Sequence, residues 1–241
     1  MFTDGPVLCG HRGSGAGIVD GEAENTLGSF RAAIAAGLPW VEVDARINAD
    51  GALVARHDPV MGDGRFVADL GTEETDALGL LRVGDLLEAL PPGIGVDVEV
   101  KSSLEDALRP RAETTAALVA DLLLGAGRPL LVSSFDPAAL LIVRERAPSL
   151  PLALLTWTRF PLRKAIAAAA HLGVEVVAAN FESFPLAGTR AEAVERPLER
   201  VVEIAHAAGL QVMAWCPPPA EARRLGAAGV DCLVVDRHGR E

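Results

Sequence analysis

Val96-Asp97-Val98-Glu99-Val100-Lys101 alternates a β-branched apolar residue with an ionisable one at every step. In a strand, residues two apart face the same way, so Asp97, Glu99 and Lys101 would share one face and the three valines the other. Trp40-Val41-Glu42-Val43-Asp44 repeats the pattern and sets Glu42 beside Asp44. Carboxylates on strands this rich in β-branched and aromatic residues carry a large desolvation cost unless something compensates them. Acids therefore cluster where apolar side chains are expected, and a bound cation would remove that cost.

Apolar runs of four to seven residues alternate along the whole chain with longer stretches of helical period, punctuated by Gly or Pro, which is the pattern of repeated βα units. Eight strands are predicted, at 7–10, 40–44, 96–100, 130–133, 152–156, 175–179, 211–215 and 232–236, with a short extra strand at 53–57. Helices are expected at 27–36, 83–90, 111–124, 138–147, 161–172, 192–208 and 220–227. Asn25-Thr26 and Asp136-Pro137 supply start signals for two of them, and Gly37 and Pro148 supply stops. Eight parallel strands with helices between them imply an α/β fold of the TIM (β/α)8 barrel type, with a short loop or small insertion after the second strand. A doubly wound open sheet uses the same alternation, but His11-Arg12-Gly13-Ser14-Gly15 is a poor match to its GxGxxG fingerprint. Residues 59–80, with Gly62, Gly64, Gly71 and Gly79, have weak periodicity and read as a loop over the barrel mouth that shapes substrate choice. No linker or low-complexity tract interrupts residues 1–241, so a single domain is expected.

Composition bounds the function classes. At 241 residues, about 70–75% of the extended-chain surface can be buried in one core. The apolar content of 50% fits a compact globular protein, and no run of about 18 uncharged apolar residues suggests a membrane span. A formal charge of −11 repels nucleic acid and anionic membranes, so a phosphate-bearing small molecule must be drawn by a local positive site, for which Arg12, Lys101 and a bound metal are candidates. Met1-Phe2-Thr3-Asp4-Gly5-Pro6 lacks a basic n-region, and cytoplasmic residence follows as the default expectation. Cys9, Cys216 and Cys232 stand apart in apolar segments without CxxC spacing, as reduced, buried thiols would.

Glu42, Asp44 and Glu99 without thiolates or paired imidazoles favour a hard divalent cation with oxygen ligands, Mg²⁺ or Ca²⁺ with Mn²⁺ also suitable, over zinc. The plainer reading of the same acids is a set of salt bridges with Arg12, Arg46 and Lys101 at a barrel rim. His11 and His57 both stand where an apolar run gives way to a loop, and two imidazoles suffice to remove a proton from a nucleophile and return one to a leaving alkoxide. His171, His206 and His238 fall at a helix end, inside a helix and in the tail, and read as structural.

Taken in order, His11-Arg12-Gly13, Ala23-Glu24-Asn25-Thr26, Glu42-Val43-Asp44, His57-Asp58 and Glu99-Val100-Lys101 resemble the motifs of the glycerophosphodiester phosphodiesterases: HRG, P-E-N-T, E-x-D, H-D and E-x-K. A fainter likeness continues through Ser133-Ser134-Phe135-Asp136, Trp215 and the segment Gly229-Val230-Asp231-Cys232-Leu233-Val234-Val235-Asp236. The resemblance implies a TIM barrel that hydrolyses glycerophosphodiesters to glycerol 3-phosphate and an alcohol, with one divalent cation on Glu42, Asp44 and Glu99. It implies His11 and His57 as acid and base, Arg12 and Lys101 on the phosphoryl oxygens, and Trp215 near the substrate. Ala23 in place of Pro, the long loop from 14 to 23, the short excursion after His57 and Cys216-Pro217-Pro218-Pro219 after Trp215 depart from the family pattern at the rim of the pocket. Those departures motivate an alternative, a non-catalytic binder of phosphodiesters or phospholipid head groups on the same barrel. Glu24 stands between two roles, metal contact and helix capping through Asn25 and Thr26.

Overall fold

The computed structural model describes residues 1–3, 5–185 and 196–236. In chain order the strands are β1 (Val7–Gly10), β2 (Ile18–Val19), β3 (Glu22–Ala23), β4 (Trp40–Ile47), β5 (Leu53–Ala55), β6 (Gly95–Val100), β7 (Leu130–Ser134), β8 (Leu152–Thr156), β9 (Val176–Asn180), β10 (Gln211–Trp215) and β11 (Cys232–Val235). Eight of them run parallel in the order β1-β11-β10-β9-β8-β7-β6-β4, and pairing of β1 with β4 through Cys9 with Trp40 and Gly10 with Val41 closes the barrel. That closure settles the choice against an open sheet.

The period-two pattern sorts side chains between two cores. Val41, Val43, Val96, Val98 and Val100 point outward into the layer between strands and helices, where Phe30, Leu86, Leu123 and Leu140 are fully buried. Trp40, Leu131, Ala153, Val176, Met213 and Val234 point inward, with Phe2 beneath them packed edge-on to Trp40 at 5.2 Å between ring centroids. Phe2 also donates its backbone N–H to Gln211 Oε1 at 3.0 Å, tying the first residues to the floor of the barrel. Glu42, Asp97 and Glu99 continue this inward layer upward, so the acids stand on top of an apolar plug.

Helices Leu27–Ala35, Val83–Ala89, Thr115–Leu123, Pro137–Arg146, Leu162–Leu172, Leu198–Ala207 and Pro219–Ala227 follow the predicted stretches. Thr26 caps the first by accepting from Ser29 N, and Asp136 caps the fourth by accepting from Ala138 N. Residues 192–195 of one predicted helix, and His238, lie outside the described residues. The chain from 59 to 80 is less loop-like than expected: it holds a 3-10 turn, Val67–Asp69, and a short helix, Thr72–Ala77. Its missing periodicity reflects elements too short to show one. Asn48 Nδ2 donates to Thr72 Oγ1 and Thr75 Oγ1, and Asp50 accepts from Thr72 N, so this insertion packs against the turn between β4 and β5. No helix among the described residues is long and apolar enough to cross a membrane.

Candidate active site

Parallel pairing of β4 with β6 sets Glu42 opposite Asp97 and Asp44 opposite Glu99. One carboxylate oxygen from each of Glu42, Asp44 and Glu99 lies within 4.8 Å of the other two, and all three residues are buried. Like charges this close repel. Burial first, then Asp44 and Glu99, push the Glu42 carboxyl well above its usual range, and burial raises Glu99 as well against the pull of Lys101. Burial works in the same direction on Asp44, but Lys101 and Arg12, with a hydrogen bond from Asn25, outweigh it and hold that group below the ordinary aspartate value. Asp97, deeper in the barrel, is pushed up to about 8, mainly by burial.

Two cations sit over the acids. Lys101 Nζ is 3.0 Å from Asp44 and 2.5 Å from Glu99. Arg12 Nε is 3.3 Å from Asp44, its Nη1 pairs with Glu24 at 3.0 Å, and its backbone N–H donates to Glu42 Oε2 at 2.9 Å. Asn25 donates from Nδ2 to Asp44 Oδ2 at 2.7 Å and accepts the Asp44 N–H at 3.2 Å. After all of these, Glu42 Oε1 remains buried with no hydrogen-bond partner among the described residues. An orphaned carboxylate oxygen inside a three-acid cage fits a hard divalent cation. The salt-bridge reading of the acids is thus right for Arg12 and Lys101, while Arg46 turns elsewhere and donates to the His57 carbonyl from Nε at 2.8 Å.

The histidines come from two different loops, one after β1 and one after β5. His11 follows β1 in a loop folded tightly against its surroundings: a Cβ on Gly13 would meet Ser29 Oγ at 2.5 Å, and one on Gly15 would meet the Asp236 carbonyl oxygen at 1.6 Å. Both glycines also hold positive φ, which explains glycine at each. His11 Nδ1 is 2.5 Å from Asp236 Oδ1 and 3.4 Å from Cys216 Sγ. Its hydrogen bond is the main reason the Asp236 carboxyl falls to about 2. His57 is brought level with Asp44 by β5, which runs antiparallel to β4, and Arg56 N–H donates to the Asp44 carbonyl at 3.0 Å. His57 Nδ1 is 2.8 Å from Asp58 Oδ1, and burial is the main cause of a His57 pKa below the ordinary value.

A cavity of about 690 Å³ at the carboxyl ends of the barrel strands is lined by His11, Arg12, Glu42, His57, Glu99, Lys101 and Trp215. Asp44 lies behind these residues, with no exposed surface. Phe135 joins the lining, stacked on Trp157 at 4.4 Å and edge-on to Trp215 at 6.0 Å. Trp215 Nε1 is buried and without a hydrogen-bond partner among the described residues. Two expectations are corrected. No residue of the 59–80 insertion lines the cavity, because that segment is anchored to the β4–β5 turn. Cys216 is half-buried at the cavity wall rather than in the core with Cys9 and Cys232.

The spacing of charged residues in sequence could not reveal the partners of the histidines and acids. Asp236 reaches His11 across the barrel closure, 225 positions away in the chain, and no local pattern marks that pairing. Asn25 and Glu24 were visible as part of a motif, but their roles depend on Arg12 at φ +50 and Asn25 at φ +58. The Glu24 carboxylate accepts from Arg12 and from Gly17 N, and the helix cap is supplied by Thr26.

The family model described as the glycerophosphoryl diester phosphodiesterase family matches residues 11–240. Among solved structures, a Silicibacter pomeroyi protein assigned to the glycerophosphoryl diester phosphodiesterases superposes with a TM-score of 0.78 at 24% identity, over 98% of this chain and 92% of that one. An Oleispira antarctica phosphodiesterase, in complex with the product sn-glycerol-3-phosphate, gives a TM-score of 0.77 at 23% identity, over 96% and 93% of the two chains. A Thermotoga maritima glycerophosphodiester phosphodiesterase gives 0.74 at 22%, over 98% and 96%. At these identities the likeness establishes the fold. Among curated proteins none matches the sequence.

Proposed function

The chain belongs to the glycerophosphoryl diester phosphodiesterase family, and we propose that it hydrolyses glycerophosphodiesters to glycerol 3-phosphate and an alcohol, with His11 and His57 as acid and base and one divalent cation on Glu42, Asp44 and Glu99. The observation that carries this reading is the meeting of two carboxylate-backed imidazoles and two cations at one cavity above an acid cage with an orphaned oxygen. The product seen in the Oleispira antarctica relative supports the choice of substrate class.

Mg²⁺, Ca²⁺ or Mn²⁺, when bound, supplies positive charge to the phosphoryl oxygens and so stabilises the charge that builds there in the transition state. Arg12 and Lys101 add two further charges from the same side. His57, whose pKa burial lowers, is the neutral imidazole near pH 7 and takes the proton of the attacking oxygen. His11, with Nδ1 held by Asp236 at the cavity wall, returns a proton to the leaving alkoxide through its other nitrogen. The attacking oxygen belongs to water or to the substrate's own glycerol hydroxyl, the second route passing through a cyclic phosphate. Asp58 orients His57 as Asp236 orients His11. Trp215, on the cavity wall, stands near the substrate. A cytoplasmic setting completes the reading, in keeping with three free cysteines.

His11→Ala and His57→Ala test the assignment: each lowers turnover by about 10² to 10⁴-fold, as loss of a general acid or base does, with thermal unfolding unchanged. Tight binding of glycerophosphocholine without release of glycerol 3-phosphate by the unaltered protein would instead favour a head-group binder.

A further inference from the structure

Three adjacent barrel strands, β1, β11 and β10, are followed directly by His11, Asp236 and Cys216, whose ligand atoms all lie within 4.8 Å of one another. We propose that these three side chains form a second metal site, distinct from the acid cage and suited to a borderline-soft divalent ion of the zinc type, and that its occupation switches the enzyme off.

The chemistry of the donors separates the two sites. The cage offers three carboxylates, a set for hard cations, whereas this group offers a thiol, an imidazole and one carboxylate, the mixture that tetrahedral zinc takes. A tetrahedral ion holding sulfur at about 2.3 Å and nitrogen at about 2.0 Å spaces the two roughly 3.5 Å apart, and Cys216 Sγ stands 3.4 Å from His11 Nδ1. The shorter 2.5 Å between His11 Nδ1 and Asp236 Oδ1 is a hydrogen bond that opens when an ion replaces its proton. Asp236 Oδ1 also accepts the Ala16 N–H at 3.1 Å, which helps to fix the carboxylate in place. All three residues are partly exposed and line the cavity, which gives an ion access from solvent and leaves room for water as a fourth ligand. Cys216 has no part in the hydrolytic reading above.

Binding is an exchange of protons for metal with no change of oxidation state. The ion forms bonds to sulfur, nitrogen and oxygen, while the thiol proton and the proton on His11 Nδ1 leave to solvent. The remaining imidazole proton then resides on Nε2 of a neutral, metal-bound ring. Such a ring has no free nitrogen to take up a proton and is a far weaker donor than an imidazolium. The inhibitory consequence rests on the reading of His11 as a proton carrier; the metal site itself does not.

Cobalt(II) added to the metal-free protein is the direct probe, since a thiolate ligand gives an intense charge-transfer band in the near ultraviolet. The band is expected in the unaltered protein, is expected to persist with Mg²⁺ at saturation, and is expected to vanish in Cys216→Ser. In parallel, Zn²⁺ added to the Mg²⁺-loaded enzyme should inhibit release of glycerol 3-phosphate, with the inhibition constant at least about 10-fold weaker in Cys216→Ser. Absence of the band from the unaltered protein, its displacement by Mg²⁺, or its survival in Cys216→Ser would each overturn the site. The first two are read without any variant. Equal zinc sensitivity in the two proteins would overturn the switch. Since the cobalt spectrum requires no turnover, failure of the hydrolytic reading leaves its outcome legible.

Discussion

Lys101→Met removes the charge on which the acid cage most depends, and its cost can be worked from the geometry. The ammonium lies 3.0 Å from Asp44, which has no exposed surface. At an effective dielectric near 20 that contact is worth about 5–6 kcal/mol before desolvation is counted. The variant has a cheaper escape, protonation of Asp44. From an unfolded value of 3.8, this costs about 4.4 kcal/mol at pH 7, at 1.36 kcal/mol per pH unit. The loss is therefore capped near 4 kcal/mol, within the roughly 3–5 kcal/mol seen when a buried pair loses one partner. For a chain of this length it corresponds to a fall in Tm of roughly 9–18 °C. Because the folded-state pKa of Asp44 is depressed, its stabilising contribution is present above the unfolded value and is lost as pH falls. The difference between the two proteins must then shrink to about 1.6 kcal/mol at pH 5. A divalent cation in the cage replaces the missing charge, so the rise in Tm on adding Mg²⁺ or Ca²⁺ to chelated protein should be larger in Lys101→Met than in the unaltered chain. Thermal unfolding at pH 5 and pH 7, with chelator and with cation, reads all of these. A loss that is the same at both pH values, or that is untouched by cation, would refute the reasoning.

Glu42→Gln keeps the shape of the cage but removes the Glu42 carboxylate charge, and the cation-induced rise in Tm should largely disappear; an undiminished shift would remove Glu42 from the ligand set. Because burial lowers the His57 pKa, the acid limb of the kcat/KM profile should lie below the ordinary histidine value. Asp58→Asn, which removes a hydrogen bond that raises that pKa, should move the limb lower still, and an upward shift would contradict the assignment of His57 as base. Phe2→Ala opens the floor of the barrel beneath Trp40 and should cost about 3–5 kcal/mol in urea unfolding, and a loss under 1 kcal/mol would show that the N-terminal plug is dispensable.

The barrel was legible because its strands are short, apolar and separated by capped helices. Val7–Gly10, Leu152–Thr156 and Gln211–Trp215 begin and end where the apolar runs do. The acid cage was legible for a different reason: alternation fixes which residues of β4 and β6 share a face, and parallel pairing then leaves Asp44 beside Glu99. Long-range partners were not. Asp236, Cys216 and Asn25 meet their partners only through closure of the barrel and through residues with positive φ, and neither has a signature in local periodicity. Phe2 was overlooked because its role depends on a ring, Trp40, that sits at the bottom of a strand read for its acids. The insertion after His57 was misjudged since its helix is six residues long, too short to display a period.

Release of glycerol 3-phosphate from a panel of glycerophosphodiesters, measured after chelation and again after readdition of Mg²⁺ or Ca²⁺, bears most directly on the account. Activity that is abolished by chelator and restored by either cation is the expected result. Hydrolysis at full rate in the chelator, or no release from any member of the panel with cation present, would contradict it.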